Sequence, residues 1–218
     1  MPADARSEIL SAIRSANRDA TDLTRAELDY AEIPRTYTQH AEISREQTID
    51  LLTERLIDYN ADVVPCTADQ LPSAIRDALQ QHNAVRVLIP EDLPRNLLPD
   101  GLATTPDTNL TPAELDGFDA AVTLCTLAIA ETGTLVLQGL AGQGRRAATL
   151  VPDVHVCVLR VEDIVNTVPE AFERLASTAT RPLTFVSGPS ATADIEMTRI
   201  KGVHGPRQLH ILLLQDSV

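Results

Sequence analysis

Apolar residues follow two alternating rhythms along this chain, one helical and one of short continuous runs. Residues 4–17 carry Ala5, Ile9, Ala12, Ile13 and Ala16 at helical spacing on one side. Residues 18–44 lose that spacing, contain Pro34 and mixed charge, and read as a linking or wrapping arm. The helical rhythm returns over 45–59 through Ile49, Leu52, Leu56 and Tyr59, and a short strand follows at 61–65. Residues 68–81 form the next helix, with Pro72 moving its start later than the pattern alone suggests. AVRVLIP, residues 84–90, is a strand stopped by proline. Four prolines and a glycine break 91–115 into short pieces, one of them a helical turn at 92–97. Strands then fall at 118–124, 134–138 and 155–160, with a short helix at 161–166 and a helix at 169–176 that has proline near its first turn. Strand and helix in alternation predict an α/β fold, a mostly parallel sheet flanked by helices. A helical extension at 1–44 precedes one domain at 45–218, and no internal repeat is evident.

The stretch 183–214, LTFVSGPSATADIEMTRIKGVHGPRQLHILLL, reads as strand (183–186), tight turn, helix (191–201) and strand (209–214), the size of a βαβ unit. Ser190 is placed as an N-cap, Asp194 in the first turn, Arg199 and Lys201 in the last, and Gly202 just past the end. Gly188, Pro189, Ser190, Thr192 and Asp194 then surround a helix N-terminus, a place where unpaired amides hold a carboxylate or phosphate. The plainer alternative is that Ser190 caps the helix and Asp194 answers its dipole. A complete helix here is roughly 15 Å long and leaves His204 at the far edge of the sheet from Ser190. If the helix ends near Glu196, the chain returns early and His204 reaches the turn as an acid or base. His155 and His210 sit within strand patterns and rank behind it.

Charge and composition narrow the partners. With 31 acidic and 18 basic residues, the net charge of −13 opposes binding to a nucleic-acid backbone. No apolar run approaches a membrane span, and MPADARSEIL lacks the basic and apolar start of a signal peptide, so a cytoplasmic protein without membrane insertion is expected. Cys66, Cys125 and Cys157 are isolated among apolar neighbours, so no iron–sulfur cluster is expected in this chain. The five histidines are scattered and HExxH is absent, so no metal ligand set is assigned.

Two further motifs carry polar groups between apolar segments. Glu131, Thr132 and Gly133 form a tight connection in which Glu131 serves as general base, nucleophile or hydrogen-bond acceptor, or is simply a solvated turn residue. GLAGQGRR, residues 139–146, lacks the following helix that a dinucleotide fingerprint requires. It reads as a mobile loop whose Arg145 and Arg146 clamp an anionic substrate or partner.

Four blocks in order, IAETGTLVL (129–137), LVPDVHVCVL (150–159), GPSATADIE (188–196) and GVHGPR (202–207), resemble the signature of the LUD-domain proteins, the LutC/YkgG branch of lactate-utilisation proteins. Ala191 stands where that pattern carries a longer polar residue. The resemblance implies a NagB/RpiA/CoA-transferase-like fold and a part in oxidising lactate to pyruvate beside iron–sulfur partner subunits. On that reading the chain binds a small organic acid or assembles the complex. One alternative is a stand-alone CoA-transferase-like or sugar-phosphate-isomerase-like enzyme using Glu131, by analogy of fold. Another is a purely structural partner.

Overall fold

The structure is a computed structural model that describes residues 4–17, 23–193, 199–201 and 205–215. The chain divides into two compact units, Met1–Tyr37 and Thr38–Val218. The first holds α1 (Ala5–Ala16), N-capped by the Asp4 carboxylate, and α2 (Leu23–Glu32). The second helix corrects the expectation of an irregular arm. LTRAELDYAE is rich in good helix formers, and Pro34 stops the helix from outside rather than breaking it. Arg35 lies 4.6 Å over the Tyr30 ring and donates to the carbonyls of Ile33 and Tyr30.

In the second unit side-chain caps set several helix starts. α3 (Arg45–Asp58) opens on a reciprocal Ser44–Gln47 capping box. After β1 (Asp62–Thr67), α4 begins at Leu71, three residues later than the apolar pattern suggests, with Pro72 in its first turn. Between β2 (Val87–Ile89) and β4 (Ala120–Leu124) lie β3 (Thr104–Pro106) and the one-turn α5 (Pro112–Leu115). β5 (Leu127–Ile129) and β6 (Thr134–Leu137) form a hairpin, followed by β7 (Val154–Arg160) and the short β8 (Ile164–Val165). The segment read as a helix at 161–166 is only a 3₁₀ turn, Val161–Asp163, leading into β8. α6 (Val168–Leu175) is capped by Thr167 and Glu170. Glu170 also accepts from the Ala41 amide, and Thr167 donates to the Gln39 carbonyl, which ties residues 38–44 to this unit. The chain ends through β9 (Thr184–Val186), β10 (Ala191–Ala193), β11 (Arg199–Lys201) and β12 (Gln208–Gln215).

Six strands form one parallel sheet in the order β1-β12-β7-β4-β2-β3. β1 is an edge strand, which is why Pro65 can sit within it: one side of that strand owes no ladder bonds. Side chains alternate between the two faces. Val154, Val156 and Val158 of β7 and Leu212 of β12 pack with Leu71, Ile75 and Leu79 of α4. Cys157, Leu159, Ile211 and Leu213 point the other way, toward Leu52 and Leu56 of α3 and the inner face of a second sheet. That second sheet runs β8-β5-β6-β9, with β5 parallel to β8 and antiparallel to β6. Ala171 and Leu175 of α6 cover its outer face. Each fully buried leucine here contributes about 1.5–3 kcal/mol of apolar transfer energy. Among the described residues, no helix is long and apolar enough to cross a membrane.

The largest departure from the sequence reading lies at 191–201. β10 and β11 pair antiparallel, Thr192 opposite Ile200, where a helix was expected. Four β-branched residues in that segment (Thr192, Ile195, Thr198 and Ile200) disfavour a helix, and eleven residues are too few to hold one without packing. The βαβ unit is lost with it: β9 is antiparallel to β6 in the second sheet, while β12 runs between β1 and β7 in the first.

Candidate functional site

Where the chain crosses from β9 to β12, the two sheets leave a pocket of about 200 Å³. Three pieces of chain wall it. The turn after β9 supplies Ser187, Gly188, Pro189 and Ser190; the entry to β12 supplies Gly205, Pro206 and Leu209; and Arg146, Thr149 and His155 come from the connection into β7 and from β7 itself. Gly188 turns the backbone with φ +81°, and a Cβ there would come within 2.6 Å of Tyr59 Cβ, so the turn depends on glycine.

The described residues 191–193 and 199–201 are strands, so they form no helix-terminal cradle of amides after Ser190. The Ser190 amide donates to the Pro206 carbonyl at 2.7 Å. That bond places the start of GPSATADIE against the end of GVHGPR, and Gly205 lies beside the Ser190 side chain. The two motifs share a pocket through a strand pair rather than through a shortened helix. Asp194, Glu196, Gly202 and His204 lie outside the described residues, and of Thr192 only the β10 backbone is described.

His155 lies at the back of the pocket. It is 1% exposed, and its Nε2 is 2.9 Å from Thr123 Oγ1. Burial, with the nearby Arg146 charge, lowers its pKa to about 4, so the ring is neutral at pH 7. Arg146 stands at the wall with part of its surface open to solvent, yet desolvation still lowers its pKa, a direction that leaves it cationic. Its Nη1 donates to the carbonyl and the hydroxyl of Thr149, and its own carbonyl accepts from the Thr149 hydroxyl. A fixed cation beside a neutral buried imidazole and small hydroxyl side chains favours a compact anion with further acceptor atoms.

Arg145 is not part of this arrangement. It makes a two-pronged ion pair with Asp107, Nε to Oδ2 at 2.6 Å and Nη2 to Oδ1 at 2.8 Å, and also donates to the Leu110 carbonyl. The Asp107 side chain is 2% exposed, and Arg145 holds its carboxyl below the usual range. Of the two arginines expected to clamp a ligand, Arg146 therefore stands at this pocket, whereas Arg145 is paired with Asp107 outside it. The glycine-rich loop is likewise tied down: the Gly142 amide donates to Asp92, and the Gln138 amide donates to the Gln143 side chain.

Glu131, Thr132 and Gly133 form the turn of the β5–β6 hairpin. Glu131 is exposed and its amide extends the β8 ladder by donating to Asn166, whereas Gly133 is buried against Arg55 of α3. None of the three lines the pocket, but hydroxyls link Thr132 to it, Thr132 to Thr134 at 2.7 Å and Thr134 to Ser187 at 2.8 Å. Sequence ranked His155 behind His204 and did not single out Thr149. The available signal was a titratable residue inside the apolar run VHVCVL, which a buried strand accepts only with a polar partner.

On the opposite face of the parallel sheet a second polar group is buried. His210 of β12, 1% exposed, has its Nε2 at 2.5 Å from His82 Nε2 and 3.1 Å from Asp62 Oδ2.

Fold and site together define an α/β protein that carries a small polar pocket where a parallel sheet meets a mixed one. The profile of the LUD domain matches residues 3–214, and the chain belongs to that family. It is 44% identical over 181 residues to the lactate utilization protein C of Deinococcus radiodurans, across 82% of this chain and 84% of the relative. A protein of the same name from Halalkalibacterium halodurans is 28% identical over 193 residues, across 80% of this chain and 82% of the relative. The crystal structure of a DUF162 family protein from Deinococcus radiodurans superimposes with a TM-score of 0.69 at 41% identity, over 79% of this chain and 99% of the other.

Proposed function

We propose that this chain serves lactate utilisation and that the pocket beside His155 and Arg146 takes the carboxylate of a small organic acid such as lactate or pyruvate. The observation that carries this reading is the pairing of a wall cation with a buried neutral imidazole in a space of about 200 Å³. That is below the several hundred Å³ of pockets for larger ligands and suits an acid of a few heavy atoms. The names borne by its relatives support the same substrate class. Arg146 anchors the carboxylate, while the Thr149 and Ser187 hydroxyls and His155 offer partners to the adjacent hydroxyl or keto oxygen.

The electron chemistry is assigned to iron–sulfur partner subunits. In support, the cysteines here are packed as hydrophobes: Cys66 against α4, Cys157 against α3, and Cys125 beside the latter core. Burial pushes the Cys66 thiol up, away from the thiolate that a cluster needs. Calorimetric titration of the purified chain with lactate and with pyruvate tests the pocket. Saturable binding of either acid, weakened roughly tenfold or more by Arg146→Ala, is expected for loss of a charge-assisted contact. Binding that arises only in a complex with partner subunits, or that ignores Arg146→Ala, would overturn the assignment.

A further inference from the structure

The geometry points to a binding site for a divalent first-row transition metal formed by Asp62, His82 and His210. Three electron-pair donors converge there from three elements: the start of β1, the C-terminal cap of α4 and the core of β12. The two imidazole Nε2 atoms and a carboxylate oxygen all lie within 4.8 Å of one another. Hydrogen bonding alone serves this arrangement poorly. Between two neutral rings only one Nε2 proton points into the cluster at a time in the pairing seen, so one proton must answer two lone-pair atoms. A cation at the centre answers all three.

The spacing fits that ion after a small adjustment. With ligand bonds of about 2.0–2.2 Å on tetrahedral angles, neighbouring ligand atoms stand roughly 3.3–3.6 Å apart. His210 Nε2 and Asp62 Oδ2 are already 3.1 Å apart. The 2.5 Å between the two imidazoles must open by about 0.8 Å to reach that spacing. His82 is the ring able to yield, because it caps the end of α4 and is only partly buried, whereas His210 is fixed in the sheet.

Two imidazoles and one carboxylate make a borderline donor set that suits zinc, cobalt, nickel or iron in the divalent state and discriminates against magnesium and calcium, which prefer oxygen. His210 also lines a cleft of about 300 Å³ between β1 and α4, whose wall includes Gln70, Asp77 and Gln81. Three protein ligands beside an open cleft is the pattern of a site with an exchangeable fourth position, not of a closed structural zinc.

Titrating the full-length, chelator-treated protein with zinc and with cobalt tests this. The expected results are one equivalent bound per chain, visible d–d absorption of low-coordinate cobalt, and competition by zinc but not by magnesium. His82→Ala and Asp62→Asn, at half-exposed positions that leave the core intact, should each keep the wild-type circular dichroism. His82→Ala should weaken zinc by more than about 100-fold, beyond the range for residues that merely support a ligand. His40→Ala, at a residue whose side chain is 64% exposed and remote in sequence from the cluster, should change nothing. Absence of stoichiometric binding, or binding untouched by both His82→Ala and Asp62→Asn, would overturn the site.

Discussion

Two histidines on neighbouring strands of one sheet meet opposite surroundings. His155 of β7 and His210 of β12 are offset by a single residue in register, Leu209 lying opposite His155 and His210 opposite Val156. Each is 1% exposed. Because strand side chains alternate, that one-residue offset sends them to opposite faces. His155 faces the second sheet, with a hydroxyl and the Arg146 cation for neighbours; His210 faces α4, with another imidazole and a carboxylate. The residue type is the same, but a cationic neighbour suits one pocket to the acid proposed for it, and an anionic neighbour suits the other to the proposed metal ion. Neighbouring charge, more than burial, sets what a buried imidazole can serve.

The comparison breaks most visibly in acid. An unfolded histidine takes a proton near pH 6.5, while folded His155 resists until about 4. Its contribution is therefore intact above pH 6.5 and is lost as the pH falls from 6.5 toward 4. The depression corresponds to roughly 3 kcal/mol. Burial lowers His210 as well, against the pull of Asp62, so the His155 share is the difference between wild type and His155→Gln in urea denaturation at pH 7 and pH 5. The wild type should lose more stability across that interval than the variant; equal losses would mean that His155 is not held neutral.

A smaller effect separates the two adjacent arginines. Asp107→Asn removes half of an ion pair whose carboxylate is almost fully enclosed and should cost about 2 kcal/mol, less than a fully buried pair because Arg145 is partly solvated. Arg146→Ala should cost less than about 1 kcal/mol, as at other partly exposed positions, while still weakening the organic acid. Chemical denaturation of both variants checks the order, and a reversed order would place the structural role on Arg146 instead.

Much of this fold was readable because several signals agreed at each element. In α3 an apolar stripe coincides with a Ser44–Gln47 capping box, and in β7 and β12 strand-length apolar runs follow turn residues, Pro152-Asp153 and Gly205-Pro206. At 191–201 they did not agree. Ser190, Arg199, Lys201 and Gly202 look like helix punctuation, but the same residue types suit a pair of short strands, and β-branched Thr192 and Ile200 sit opposite each other in that pair. The pocket proposed for the acid adjoins the turn that the sequence singles out, but no helix forms its wall: turn residues after β9 and before β12 line it, and its cation and imidazole come from the connection into β7 and from β7 itself. Sequence could not separate Arg145 from Arg146, because what distinguishes them is Asp107, 38 residues away from Arg145. It could not gather the second group either, since His82 and His210 are 128 residues apart and meet only once the sheet has formed.

The most direct test is a histidine-selective nitrogen–proton correlation spectrum of the metal-free protein, recorded first with pyruvate and then with zinc. Pyruvate should shift the ring nitrogens of His155 and leave His82 and His210 in place, and zinc should move His82 and His210 and leave His155. A His155 signal indifferent to saturating pyruvate, or one histidine answering both additions, would contradict the division of the sheet into an anion face and a cation face.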